Sequence, residues 1–373
     1  MRARMIKRVM ALKNDIMEKR LKQSLGIDVS KLGLSLSLGF LTDKLGKEFI
    51  SHPDVPNDLS GYKEVLKWLK TSVDGTVDLV VVMEATGVYH QGIAHYLYSH
   101  GHAVSVMQSG RVKRYAQSLD QRSKTDALDS RMLSMLGLER SLRPWRPPSE
   151  ELRELKALSR ERSSLLKDKV METNRQGAID SGVHGNTKAL KRHRDRLKLL
   201  NGQIAMIEEE MKEIVSKNEV LGRKIGFMMS IPGISFISAA TVVGETLGFE
   251  SITSAKQLTS YAGYDVVLRE SGSFKGKTRI SKKGNSHIRA VMHMPSMTCV
   301  RCNPTLKKFY NRLKPKKAKP LVALIAVQRK LLILMYTLWK SEKFYDEAYE
   351  TKKQQKHKAL AAQDNNLIDQ LVS

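Results

Sequence analysis

The sequence predicts an α/β domain, then a long helical segment, then a second domain that is mainly helical and strongly basic. Three observations carry this. Residues 25–107 alternate short apolar strands with amphipathic helices. Leu197, Leu200, Ile204, Ile207, Met211 and Ile214 repeat at spacings of three and four, a heptad seam. Residues 271–340 hold 17 Lys and Arg and no Asp or Glu.

Within the first domain, Ile27, Val29, Leu34, Leu36 and Leu38 alternate across 25–40 as in a strand, and 47–50 is a second candidate strand. Residues 59–73 read as a helix with Tyr62, Val65, Leu66 and Leu69 on its apolar side. A buried strand over 77–83 ends at Glu84, a helix spans 87–100, and a further strand spans 103–107. Asp28 lies on the first strand; Glu84 closes a buried one, where α/β sheets commonly place ligand sites. The run 126–142 reads as a helix, so Asp126 and Asp129, three residues apart, share a face. Two carboxylates so placed raise each other's pKa unless a cation sits between them. Hard oxygen ligands of this kind suit Mg²⁺. The proline-rich stretch 143–148 ends helix and domain together.

The helical segment, 149–220, comprises a charged helix over 152–171, a turn over 181–186 and the heptad seam. An antiparallel hairpin within one chain and a dimerising coiled coil both fit. The second domain, 221–341, opens with helices around the tight turn Ile231-Pro232-Gly233-Ile234 and continues into the acid-free segment. Residues 1–24 form a basic arm and 342–373 a polar tail.

The chain has 373 residues, 64 Lys+Arg against 38 Asp+Glu and a net charge of +26. Such an excess calls for a polyanionic partner, nucleic acid before an anionic membrane surface. Two cysteines exclude a disulfide scaffold and fit a reducing compartment. Cys299 and Cys302 form half of a zinc or redox motif, with no second pair. The basic start lacks the apolar core of a signal peptide. The apolar run 321–339 is broken by Gln328-Arg329-Lys330, as in a buried or interface helix rather than a membrane span. A cytoplasmic protein with no membrane partner is expected.

Acidic side chains on buried strands are costly unless paired or metal-bound. Asp28, Glu84, Asp126 and Asp129 therefore form a candidate set for two Mg²⁺ ions about 4 Å apart, acting at a phosphate. Ser271 and Ser273 lie in a basic loop that contains glycine; a serine hydroxyl there needs a base or metal before it attacks anything.

Gly26-Ile27-Asp28-Val29-Ser30-Lys31, Met83-Glu84-Ala85-Thr86-Gly87 and Lys124-Thr125-Asp126-Ala127-Leu128-Asp129 resemble the three acidic motifs of the DEDD insertion-sequence transposases, relatives of the Piv/MooV invertases. Ser230-Ile231-Pro232-Gly233-Ile234, Tyr261-Ala262-Gly263, Ser271-Gly272-Ser273, Arg279-Ile280-Ser281-Lys282-Lys283-Gly284-Asn285 and Ile288-Arg289 resemble the C-terminal transposase domain of that family. The likeness covers about residues 25–340, in the family's order. It implies a RuvC-like domain of the ribonuclease H fold over 25–148, a helical coiled-coil linker over 149–220 and a mainly α transposase domain over 221–341. It also implies that Asp28, Glu84, Asp126 and Asp129 are catalytic and bind Mg²⁺, and that Ser271 is the nucleophile, with Ser273 as the alternative. A covalent phosphoserine intermediate follows, as do DNA substrates (element ends and target) and a non-coding bridge RNA that pairs with them. So does a homo-oligomer, dimer or tetramer, in which the RuvC-like domain of one subunit meets the transposase domain of another. Lys275, Lys277, Arg279, Lys282, Lys283 and Arg289 are expected on the nucleic-acid backbone. Tyr264-Asp265 depart from the family, where an apolar residue and a nearby proline are expected. Two other readings fit the residues: a metal-only RuvC-like nuclease or resolvase, and a non-enzymatic nucleic-acid-binding protein whose acidic set is structural.

Overall fold

The computed structural model describes residues 19–119, 125–182, 186–268, 270–272, 274–276, 278–317 and 319–349. The chain divides into two compact units, Met1–Pro147 and Pro148–Ser373.

The first unit opens with three antiparallel strands, β1 (Arg20–Val29), β2 (Gly33–Thr42) and β3 (Lys47–Pro56). The alternation expected as one strand over 25–40 is thus two. Its apolar positions change parity between Val29 and Leu34, and the change marks a turn closed by Ser30 N–H donating to Gly33 O at 3.0 Å. Next come α1 (Leu59–Ser72), β4 (Leu79–Glu84), α2 (His90–Ser99), β5 (Ala103–Met107), α3 (Ser109–Ser118) and α4 (Asp126–Glu139). Asp58 caps α1 by accepting from Ser60 N and Gly61 N. The sheet order is β3-β2-β1-β4-β5, with β4 parallel to both β1 and β5. Three antiparallel strands continued by two parallel ones, with helices on both faces, make this a RuvC-like α/β domain. Leu25, Ile27, Val65, Leu69, Ile93 and Leu97 are buried together on the face that carries α1 and α2. Val82, Val112, Tyr115, Met132, Leu133 and Leu136 are buried on the face that carries α3 and α4.

The second unit begins with α5 (Glu150–Asp180) and α6 (Thr187–Lys217). Arg162 bonds Glu208 while Arg196 bonds Glu172, so the pairing runs backwards along α6 and the two helices are antiparallel. Of the two arrangements the heptad seam allowed, the intrachain hairpin is the one observed: Ile204, Ile207, Met211 and Ile214 are buried. The base of the hairpin shares one core with α7 (Glu219–Met229), α8 (Phe236–Thr246), α9 (Ala255–Ala262) and the helices that follow the acid-free segment's start. These are α10 (Ser286–Val291), α11 (His293–Cys302), α12 (Pro304–Leu313) and α13 (Pro320–Ser341). α13 is long and apolar enough to cross a membrane, yet Val327, Leu331, Leu332 and Met335 are fully buried in this core. The Pro232-Gly233 turn is seated on α11. Cys299 Sγ donates to Pro232 O at 3.2 Å, and a Cβ on Gly233 would lie 2.8 Å from that sulfur. Burial pushes the Cys299 thiol up to about 12, as expected of a structural cysteine.

Candidate active site

Asp28 and Glu84 stand at neighbouring strand ends. β1 and β4 run parallel with Ile27 paired to Met83, so each acid is the next residue on its strand. Both are half-buried. α4 supplies the other two acids. Thr125 caps it by accepting from Leu128 N at 3.3 Å, which places Asp126 and Asp129 in its first turn. The helix dipole favours negative charge there.

The other three carboxylates act on Asp28. Burial, then the charges of Asp129 and Asp126, and least that of Glu84, push Asp28 up to about 6 against an opposing backbone hydrogen bond at Val29. The residues that make this approach possible are small. A Cβ on Gly26 would lie 1.9 Å from Ser130 O and 2.3 Å from Ser134 N. A Cβ on Gly137 would lie 2.0 Å from Ser24 Oγ, and Ser134 Oγ donates to Ser24 O at 2.7 Å. α4 therefore lies directly on β1, and its first turn falls beside Asp28, two residues beyond Gly26.

Among the described residues no three His, Cys, Asp or Glu side chains already close a metal cage. Asp28 instead faces the charges of three further carboxylates, and a cation would relieve their repulsion on it. That chemistry fits a hard divalent cation, which oxygen ligands suit. Asp28, Glu84, Asp126 and Asp129 are the residues that would hold it.

The serine lies in the second unit, on a narrow β-hairpin. β6 (Val266–Val267) pairs with β9 (Arg279–Ile280), and β7 (Glu270–Ser271) pairs with β8 (Phe274–Lys275). Ser271 is directly opposite Phe274. Gly272 has φ +54°, a left-handed conformation that glycine adopts without strain, and Ser271 is exposed. Ser273 and Lys277 lie outside the described residues.

A loop over 281–285 packs against the base of this hairpin. Ser281 Oγ donates to Asp265 Oδ1 at 2.6 Å and Ser281 N donates to Asp265 O at 2.8 Å. Gly284 is so close that a Cβ there would lie 2.4 Å from Tyr261 O. Lys282 (φ +54°) and Lys283 are left exposed, as is Arg279. Arg289 is placed differently: its Nη1 donates to Ala262 O at 2.8 Å and also to Gly284 O and Asn285 O, so it ties the loop to the end of α9. The departure at Tyr264-Asp265 has a local reason. Tyr264 is buried with its hydroxyl donating to Gln328 Oε1 at 2.9 Å, and Asp265 receives Ser281.

A buried acid outside the sequence-predicted set supports this loop. Glu245, on α8, is fully buried. Arg160 of α5 bonds both its oxygens, at 2.9 and 3.2 Å, and Asn285 Nδ2 donates to it at 2.6 Å. Tyr261 donates to the Glu245 carbonyl at 2.8 Å. Burial opposes the charge, but the hydrogen bonds from Arg160 and Asn285 outweigh it and hold the carboxyl below its usual range. Glu245 thus fastens the end of the 281–285 loop to the helical hairpin. The signal was a lone acid inside the apolar run 239–247.

Comparison with known proteins matches parts of both units. A transposase model of the DEDD IS110 type matches residues 25–179, and a model of the transposase IS116/IS110/IS902 family matches residues 226–311. The pilin gene-inverting protein of Moraxella bovis is 27% identical over 293 residues, 78% of this chain and 89% of that protein. The 43.6 kDa protein of insertion element IS110 from Streptomyces coelicolor is 22% identical over 119 residues, 32% of this chain and 29% of that protein. Among solved structures, T. thermophilus RuvC in complex with Holliday junction substrate covers 33% of this chain and 99% of its own at 12% identity, with a TM-score of 0.23, too loose an overlap to add to the strand order. Two models of one family match in order, one over the acidic unit and one over the serine hairpin; the chain belongs to the IS110-type DEDD transposases.

Proposed function

We propose that this transposase is a site-specific recombinase that cuts and rejoins DNA through a covalent bond to Ser271. The observation that carries the reading is a half-buried Asp28 that burial first, then the charges of Asp129 and Asp126 and least that of Glu84, push up to about 6. Repulsion of this kind is retained where a cation is to be held. Mg²⁺ on the acidic set would polarise the phosphate and stabilise the leaving oxygen.

The chain's own groups do the rest. Ser271 Oγ forms the bond to phosphorus, the bond from phosphorus to the leaving nucleoside oxygen breaks, and that oxygen takes up a proton to balance the one the serine loses. The phosphodiester energy stays in the protein–DNA link, so a second DNA hydroxyl can reverse the step without a nucleotide cofactor. Arg279, Lys282 and Lys283 hold the DNA or RNA backbone near the hairpin and offset charge that develops at phosphorus. Lys275 and Lys277 share that role by their place in the sequence.

By resemblance to its family the chain is guided by a bridge RNA and works as a homo-oligomer. The acid-free basic segment supports an RNA as well as a DNA contact. A DNA substrate and the small number of cysteines fit a cytoplasmic protein.

The test is strand cleavage of DNA bearing the element's ends, with its RNA, in Mg²⁺ or in chelator. Wild-type protein should cut only with the metal. Asp28→Asn and Asp126→Asn should bind the DNA normally and cut at least a hundredfold more slowly, on the order of a lost metal ligand. Equal cutting in chelator would remove the acidic set from the chemistry.

A further inference from the structure

Phe274 is an aromatic side chain that stands 64% exposed among the described residues. It sits within 271–340, where every charged residue is basic. On the same hairpin Val266 and Leu268 are 50% and 63% exposed. A solvated hairpin in a monomeric protein is usually polar, so three apolar side chains on so short an element mark a contact surface.

Its register says where that contact falls. Residues directly opposite one another in an antiparallel pair project from the same face of the ribbon. Phe274 is directly opposite Ser271. The ring therefore stands beside the serine hydroxyl, and whatever meets the hydroxyl meets the ring as well.

Resting on the reading that Ser271 attacks a DNA phosphate, we propose that Phe274 stacks on an unpaired base next to that phosphate and so positions the strand for attack. An aromatic face among basic side chains is the combination that binds single-stranded nucleic acid: the charges track the backbone and the ring takes a base of any sequence. The basic partners are Arg279 on the same ribbon and Lys282 and Lys283 on the loop behind it, all exposed. Phe274 acts as a positioning residue. It takes no part in bond making, and its ring rather than any polar group is what matters.

The probe is an oligothymidine strand carrying one central 2-aminopurine, bound by the full-length chain without Mg²⁺, with affinity read by anisotropy and stacking by quenching of the base's fluorescence. Wild-type protein should quench it. Phe274→Ala should bind about tenfold more weakly, the loss of one stacked base, and should quench little. Phe274→Tyr, which keeps a ring, should restore both. Ser271→Ala should quench like wild type, so a failure of the serine chemistry leaves this result intact. Phe274→Ala that binds and quenches as wild type would overturn the proposal. So would a Phe274→Ala protein whose DNA binding is unchanged while its sedimentation without DNA is altered, because the ring would then be covered by protein.

Discussion

Asp28 carries a carboxylate that its surroundings make hard to ionise. Its value is 3.8 in an ordinary setting and about 6 in the fold. Between those values the folded chain binds more protons than the unfolded one, so this group's contribution to stability falls as pH rises through the window and is fully lost above about 6. Asp28→Asn should therefore stabilise the metal-free protein near pH 7 by about 1 kcal/mol, allowing for solvent screening of a half-exposed group. Near pH 4 the gain should vanish. Thermal unfolding in chelator at the two pH values checks this, and Mg²⁺ should raise the wild-type midpoint more than that of the variant. At Glu245 the sign is opposite. Its charge is matched by Arg160 and Asn285, so Glu245→Gln should cost about 3 kcal/mol by leaving the arginine without its carboxylate. Denaturant unfolding reads the loss, and cleavage should fall with it because Asn285 loses its anchor. The acids of the first unit were legible in the sequence because a charged residue on an apolar strand needs a reason. Glu245 was missed although the same rule applies to it, as a lone acid in an apolar run. Arg160 was not legible, since it lies 85 residues from its partner and nothing local links them.

At the scale of elements, the placing of the site depends on how closely α4 lies on β1. Gly26→Val would drive a side chain into the α4 backbone at Ser130 and Ser134. Lifting the helix should cost about 3 kcal/mol and carry Asp126 and Asp129 away from Asp28. Calorimetric titration with Mg²⁺ at a temperature where the variant is folded should show weaker binding; unchanged affinity would mean that the spacing of α4 does not set the site. This close approach left only small residues in the sequence, Gly26, Ser130, Ser134 and Gly137, which carry no period of their own. Strands and long helices were legible because their apolar periods are plain. α3 was not, since Ser109–Ser118 buries only Val112 and Tyr115. The serine hairpin was read as a loop because its paired segments are two residues each, too short for alternation to show.

At the scale of the whole molecule, the charge of +26 makes salt the first variable of any binding measurement. Each lysine or arginine on a phosphate adds about one to the slope of log affinity against log salt. Lys282→Ala with Lys283→Ala should lower that slope by about two on DNA of any sequence, while Arg289→Ala should act mainly through folding, because Arg289 is bonded to backbone carbonyls. A double variant with the wild-type slope would place the nucleic acid elsewhere on the surface. The charge bias was read directly from composition. Which basic residues face outward was not, because Arg289 and Lys282 look alike in a sequence and differ only in what the folded loop offers them.

The central claim is that a serine at the tip of the hairpin, working with the acidic set, joins the protein to DNA. Incubating the chain with its RNA, end-bearing DNA and Mg²⁺, and running the products on a denaturing gel, tests it most directly. A labelled DNA strand should migrate with the protein for wild type. No such band should form with Ser271→Ala, although that variant binds nucleic acid normally, or with Asp28→Asn. A band lost in Ser273→Ala and kept in Ser271→Ala would move the nucleophile two residues along the chain. Cut strands with free ends, no protein-bound DNA in any sample and undiminished recombination by Ser271→Ala and Ser273→Ala combined would contradict the account and leave a metal-only nuclease in its place.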